Sequence, residues 1–249
     1  MSKVKRLRIF AGPNGSGKST LFEVFQQEKY KPGIFINSDV VEKEILEKGF
    51  LDLLPYGLEL TQDDLLKFYQ TPNAKTLLEK SHASGHTIDI EIRENIIVDR
   101  SRDTHSYEAS LITSFIRENL LEKGISFAFE TVMSHPSKLD EIIEARKHGY
   151  KIYLYFICLD EANLNVSRVN DRVRKGGHRV DPEKIKTRYL NTLQNLYPAL
   201  KLVDRAYLFD NSDEMLMIAE IDTGELTINV DQELFPNWFI EYVVDKVNL

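Results

Sequence analysis

At 249 residues, 42% hydrophobic and 29% charged, the chain is long enough to bury a full core and has the composition of an ordered globular protein. Its net charge of −7 argues against a broad electrostatic footprint for nucleic acid, and no stretch approaches the roughly 20 apolar residues of a membrane span. A single cysteine precludes an intrachain disulfide and fits a reducing compartment, so the expected location is cytoplasmic, with no membrane and no nucleic acid as partner.

The basic start Lys3, Lys5, Arg6, Arg8 resembles the opening of a secretory signal, but the apolar run behind it stops at Gly12. It reads instead as the approach to a first strand, Leu7 to Ala11. That strand leads into Gly12-Pro13-Asn14-Gly15-Ser16-Gly17-Lys18-Ser19, with Thr20 behind it, and then into a helix expected from Ser19 to Lys29. The spacing is that of a phosphate-binding loop, G-x-x-x-x-G-K-[ST], in its expected strand-to-helix context. Residues without a side chain let successive backbone N–H groups turn toward one anion, and the helix N-terminus adds unpaired donors. Lys18 is expected to reach the β- and γ-phosphates of ATP, and the Ser19 hydroxyl to ligate Mg²⁺. A glycine-rich turn without a ligand is the structural alternative; all eight positions and both flanks argue against it.

A second short strand, 33–36, ends at Asn37-Ser38-Asp39, with a helix over 40–48. In parallel sheets ligands collect at the carboxyl ends of strands, which makes Asp39 a candidate general base for an acceptor hydroxyl. An N-cap for the following helix explains an Asp there equally well. From Gly49 to about Thr104 the pattern loosens into mainly helical stretches broken by Pro55 and Pro72, read as a substrate-side insertion within one domain spanning 1–249. Within it, 86–93 alternates with period two, as a half-exposed strand whose carboxylates are solvated.

A helix follows over 107–120, and then a strand, 125–129, ending at Glu130-Thr131 with Ser134 and His135 behind it. Glu130, Thr131 and Ser134 are candidate acceptor-side residues; His135 is a weak one. The most continuously apolar strand, 151–159, suits a central parallel position and carries Cys158 as core packing. Val166, Val169 and Val173 stripe the next helix, with Arg168, Arg172 and Lys175 on another face and Gly176-Gly177-His178-Arg179 as a flexible joint. Guanidinium groups keep their charge and grip phosphate with two donors, so an arginine lid over about 168–181 is expected. Arg174 points elsewhere and belongs to the solvated face. Asp181-Pro182 caps a further helix, and a fifth strand, 206–209, ends at Asp210-Asn211-Ser212. A β-hairpin around Thr223-Gly224 and a short helix after Pro236 complete the chain. The expected fold is α/β: a parallel five-stranded sheet flanked by helices, with a lid and a C-terminal β-hairpin.

The order of these motifs resembles the zeta-toxin type of P-loop kinases. The resemblance runs through the 12–19 loop, Asn37-Ser38-Asp39, Phe129-Glu130-Thr131, the stretch Arg168-Val169 to Arg172-Val173 to Gly176-Gly177-His178-Arg179-Val180, and Phe209-Asp210-Asn211-Ser212. It implies an ATP- and Mg²⁺-dependent small-molecule kinase. Asp39 matches the base, Lys18 and Ser19 the phosphate and metal residues, Arg168 and Arg179 the lid arginines, and Glu130 the acid near the acceptor; Arg172 and Asn211 join the nucleotide side. In the toxins the acceptor is a hydroxyl of UDP-N-acetylglucosamine and a small antitoxin blocks the ATP site, but no antitoxin is inferable from these residues. The insertion and the acid-containing loop depart from the toxins, which leaves the acceptor open. Two other readings share the loop: a nucleoside or polynucleotide-end kinase, and a switch that binds ATP without transferring phosphate.

Overall fold

The computed structural model describes residues 4–27, 33–101, 106–176 and 180–247. Strand β1 (Arg6–Ala11) turns through the glycine loop into helix α1 (Lys18–Gln27), which starts one residue before the expected point. β2 (Ile34–Ile36) and α2 (Ser38–Lys48) follow, and Gly49 in a left-handed conformation ends α2 by returning its N–H to the Ile45 carbonyl. Next come β3 (Phe50–Asp52), α3 (Gln62–Phe68) and α4 (Pro72–Ala83); a Thr61/Asp64 capping box starts α3, and the Thr71 side chain with Pro72 behind it starts α4. β4 (Ile90–Arg93), β5 (Ile96–Asp99), α5 (Ser106–Glu122), β6 (Phe127–Thr131) and α6 (Ser137–Lys147) lead to β7 (Lys151–Cys158). The chain closes with α7 (Ala162–Arg174), α8 (Pro182–Leu200), β8 (Arg205–Asp210), β9 (Leu216–Asp222), β10 (Glu225–Ile228) and helical turns over 237–247. As the Asp-Pro pair predicts, Asp181 caps α8, its side chain accepting from the N–H groups of Glu183 and Lys184.

A seven-stranded sheet runs in the order β10-β9-β8-β7-β1-β6-β2. β1 pairs parallel with β7 from Arg6↔Lys151 to Ala11↔Phe156, and β7 pairs parallel with β8 from Tyr153↔Arg205 to Cys158↔Asp210. These registers put the carboxyl ends of three strands at one sheet edge, where the glycine loop and the turns after Cys158 and Asp210 emerge. Five strands are too few. The tail hairpin does not stand apart: β9 pairs antiparallel with β8, across a register shift between Leu208 and Phe209, and β10 pairs antiparallel with β9. Pairing satisfies the backbone groups that an open β8 edge would leave exposed. β7, with Ile152, Leu154 and 156–158 fully buried, is the centre of the core.

The chain forms two compact units, one of Met1–Gly33 with Ala128–Leu249 and one of Ile34–Phe127. The second is organised by α5, whose Leu111, Ile112, Phe115, Ile116 and Leu120 are completely buried. Besides its helices it holds a three-stranded antiparallel sheet, β3-β5-β4, of which the alternation over 86–93 announces only β4. Among the described residues, no helix is long and apolar enough to cross a membrane.

Candidate functional site

The glycine loop is shaped by its neighbours. Gly12 has φ +148°, and a Cβ there would lie 2.0 Å from the Ile157 carbonyl oxygen of β7. Gly17 has φ +102°, and its Cβ would lie 2.4 Å from Asn211 Nδ2. Neither position accepts a side chain without displacement of that neighbour. Behind the loop, α1 opens with two polar residues. Lys18 donates from Nζ to the Pro13 carbonyl (2.8 Å), and Ser19 donates from Oγ to Glu130 Oε2 (2.8 Å). Glu130 comes from the end of β6, and its other oxygen lies 3.7 Å from Lys18 Nζ. With Lys18 6% and Glu130 18% exposed, this ion pair is sheltered well beyond an ordinary surface pair. One ammonium, one hydroxyl and one carboxylate therefore meet where the loop becomes a helix.

Two asparagines hold the loop from outside. Asn165 of α7 donates from Nδ2 to the Asn14 carbonyl (2.7 Å), and Asn211, just past β8, donates from Nδ2 to the Ser16 carbonyl (2.8 Å). Asn165 escapes the sequence reading. Its signal is a polar residue four positions before Val169 on the buried stripe of α7, where both are fully covered. Trp238, another residue without a sequence signal, donates from Nε1 to Asp210 Oδ2 (2.8 Å) and so fastens the closing helical turns to the turn that carries Asn211.

The remaining candidates are distributed as follows. Arg168 donates to the Ser212 carbonyl (3.1 Å), beside the loop's asparagine clamp. Arg172 is exposed, and Arg174 pairs with Asp171 at 3.2 Å on the solvated face, as expected of it. Gly177, His178 and Arg179 lie outside the described residues. Thr20 is exposed in the first turn of α1. Thr131 uses its hydroxyl locally, accepting from the Met133 N–H (3.1 Å); Ser134 is half-buried; His135 pairs with Ser137 (2.9 Å). That turn is pinned by α8, with Thr192 donating to the Val132 carbonyl (2.8 Å) and Asn195 to the Met133 carbonyl (3.0 Å).

Asp39 belongs to the second unit, exposed in the first turn of α2. The N-cap alternative for it fails: the cap is Asn37, whose Oδ1 accepts from the Asp39 N–H at 2.8 Å. The amide of Asn37, two residues earlier and the same length as an aspartate side chain, already meets the orphan donor, so capping does not explain the carboxylate. Ser38 beside it shares a 3.2 Å hydrogen bond with Thr113 of α5. Cys158 is fully buried and burial pushes its thiol well up, in keeping with a packing role.

Three comparisons bear on this arrangement. The family model for zeta toxin matches residues 90–220, a span that holds Glu130, Arg168 and Asn211. An uncharacterized protein of Haemophilus influenzae is 28% identical over 69 residues, covering 28% of this chain and 49% of that protein. The AvrRxo1-ORF1:AvrRxo1-ORF2 structure with sulphate ions aligns with a TM-score of 0.53 at 16% identity, over 94% of this chain and 63% of that one. The AvrRxo1-ORF1:-ORF2 structure with ATP gives 0.52 at 15%, over 92% and 61%. The match thus spans about half the length of the curated relative and under two thirds of those solved chains, and at such identities the structural likeness establishes a shared fold. The family match covers more than half of the 249 residues, and the chain belongs to the zeta toxin family.

Proposed function

We propose that the protein is a kinase that holds ATP in the 12–19 loop and transfers its γ-phosphate to a hydroxyl of a small molecule. The observation that carries this reading is the convergence of Lys18, Ser19 and Glu130 at the end of a loop whose carbonyls are tied outward. Family membership supports it, and the AvrRxo1 complex described with ATP supports the nucleotide. The chain's chemistry fits both groups that such a reaction needs. A triphosphate suits a loop with N–H donors to spare and a sheltered ammonium; Mg²⁺ suits the hard oxygen donors Ser19 Oγ and the Glu130 carboxylate, and supplies neutralisation of charge on phosphate oxygens when bound.

The chain's own residues then have distinct tasks. Lys18 and Arg168 offset negative charge on the transferred group, with Arg172 and Arg179 joining from the lid over about 168–181. Asp39 accepts the acceptor's proton as the new oxygen–phosphorus bond forms and the bond to the β-phosphate oxygen breaks, leaving ADP. Thr131 and Ser134 belong with the acceptor, as does the 49–104 insertion. A nucleotide sugar such as UDP-N-acetylglucosamine is the acceptor that family membership favours.

The test is incubation with Mg²⁺ and γ-labelled ATP, first with UDP-N-acetylglucosamine and then with a small-molecule extract. Label on an organic acceptor is the expected result; ATP binding or hydrolysis with no acceptor labelled in either case overturns the reading. In the same assay Asp39→Asn should leave ATP affinity within about twofold and lower turnover by roughly 10²–10⁴-fold, the span of a lost general base. Unchanged turnover would remove Asp39 from the mechanism.

A further inference from the structure

The loop's backbone groups divide into those that are held and those that are not. The Pro13 carbonyl accepts from Lys18 Nζ and from the Ser16 N–H, the Asn14 carbonyl from Asn165, the Ser16 carbonyl from Asn211, and the Gly17 carbonyl from the Leu21 N–H. The N–H groups of Gly15 and Gly17 donate to no group among the described residues. A trans peptide is planar, with the carbonyl of one residue and the N–H of the next pointing opposite ways. Tying the Asn14 carbonyl outward therefore turns the Gly15 N–H inward, and tying the Ser16 carbonyl outward does the same for Gly17.

We infer that Asn165 and Asn211 are positioning residues, two amides from separate elements that aim the Gly15 and Gly17 N–H groups at phosphate oxygens. The inference rests on the proposed nucleotide-binding role of the loop. An asparagine is suited to the task because its amide donates to a carbonyl without bringing a charge next to the bound anion. The orientation of each amide is set by its partner: with oxygen and nitrogen exchanged, two acceptors would face each other.

The burial of Asn165 gives the second argument. Its side chain is fully covered, yet Oδ1 has no hydrogen-bond partner among the described residues, and the same holds for Asn14 Oδ1 and Ser16 Oγ. A buried acceptor left unsatisfied costs stability; an aliphatic side chain of similar size would avoid that cost but leave the Asn14 carbonyl without its donor, so for folding the exchange is close to neutral. Folding alone therefore does not explain an asparagine here. The close approach of α7 does: a Cβ on Gly15 would lie 3.0 Å from the Asn165 carbonyl, 3.2 Å from Val169 Cγ2 and 3.4 Å from Arg168 Cβ. Helix and loop apex are in contact, so the hydrogen bond that sets the Gly15 peptide also fixes the root of the helix that carries Arg168.

The experiment uses the full chain and two probes, inorganic tripolyphosphate and ATP with Mg²⁺, titrated by calorimetry into the wild type, Asn165→Leu and Asn165→Asp, with thermal melts of each protein without ligand. Asn165→Leu, which trades the unsatisfied Oδ1 for an unsatisfied Asn14 carbonyl, should melt close to the wild-type temperature while both probes bind about tenfold more weakly, the scale of one lost orienting hydrogen bond. Asn165→Asp, which loses the donor and adds a charge, should bind more weakly still. In the transfer assay KM for ATP should rise in Asn165→Leu while KM for the acceptor stays put. Wild-type affinity in a folded variant overturns the inference, and so does collapse of both variants in the melt, which would make the role purely structural. A wild type that binds neither probe overturns the functional reading itself, a result distinct from both.

Discussion

Two left-handed turns in this chain are built by opposite means. In the glycine loop before α1, the residues at positive φ are glycines, and the space a side chain would need is filled by the Ile157 carbonyl at Gly12 and by the Asn211 amide at Gly17. In the β4–β5 hairpin of the second unit, the two turn residues are Glu94 (φ 48°) and Asn95 (φ 66°), between the paired Arg93 and Ile96. A two-residue hairpin loop with both residues at positive φ normally recruits glycine. Here Asn95 offsets the strain with its side chain: Nδ2 donates to the Leu58 carbonyl (2.9 Å), Oδ1 accepts from the Leu60 N–H (2.9 Å), and its own carbonyl accepts from the Leu53 N–H (3.2 Å). One turn keeps side chains out because neighbouring backbone and an amide already fill their space; the other uses a side chain as the peg on which the 53–60 segment hangs.

Gly12→Ala is the strongest way to break the first turn. Its obstacle is backbone from the central strand, which cannot swing aside, and the conformation itself is disfavoured for any residue with a Cβ. A loss of about 4 kcal/mol is expected, at the upper end for a point substitution, measured by urea unfolding. Stability within about 1 kcal/mol of wild type would mean that β7 is not the rigid wall described. Gly17→Ala meets only an amide at the end of a side chain, so its cost should be smaller, about 2 kcal/mol. It should, however, push Asn211 off the Ser16 carbonyl, and so weaken tripolyphosphate binding more than its stability cost implies.

Asn95→Ala tests the peg. It leaves the Leu60 N–H without its acceptor beside a side chain that is almost fully buried, and keeps the left-handed strain that asparagine tolerates better than alanine. Destabilisation of about 2 kcal/mol is expected by denaturant titration, with protection from hydrogen exchange lost first over 53–60. Unchanged exchange there would show that the segment is held by its leucines alone.

These turns also explain which parts of the molecule can be read from residues in order. β7 and the loop before α1 are legible because each rests on a dense local signal: eight consecutive strand residues with a buried run at the end, and glycines at fixed spacing before a lysine and a serine. The cap of α8 is legible for the same reason. β3 and β5 are not, since these short strands, unlike β4, sit in no longer alternating run, and the turn that pairs β5 with β4 lacks the glycine that would announce it. The hairpin after Asp222 is legible as a hairpin, but the short connection from Asp210 to Leu216 that folds it back onto β8 carries no glycine or proline to announce a turn, which is why the sheet has seven strands and not five. In the candidate site, Lys18, Ser19 and Glu130 are each visible as residue types, whereas Asn165 acts by reaching a carbonyl 151 positions away. A hydrogen bond of that span leaves only an indirect trace, a polar residue where the stripe calls for an apolar one.

The smallest effect sharpens the contrast in the other direction. Glu94 is exposed and sits in the same left-handed region as Asn95, which tolerates it better, but its side chain does not serve as a peg. Glu94→Gly should remove a penalty of about 1–2 kcal/mol for a Cβ in that conformation. The unfolded chain gains freedom with glycine, which takes back roughly 0.5–1 kcal/mol. The net should be a stabilisation of about 0.5 kcal/mol, a rise in melting temperature of roughly 1–2 °C for a chain of this size. The equivalent change at Asn95 should not behave the same way: Asn95→Gly relieves less strain and loses both side-chain hydrogen bonds, and so should lower the melting temperature. If both glycine variants shift it in the same direction, the asymmetry between the two turn residues, and with it the distinction between a strained position and a pegged one, does not hold.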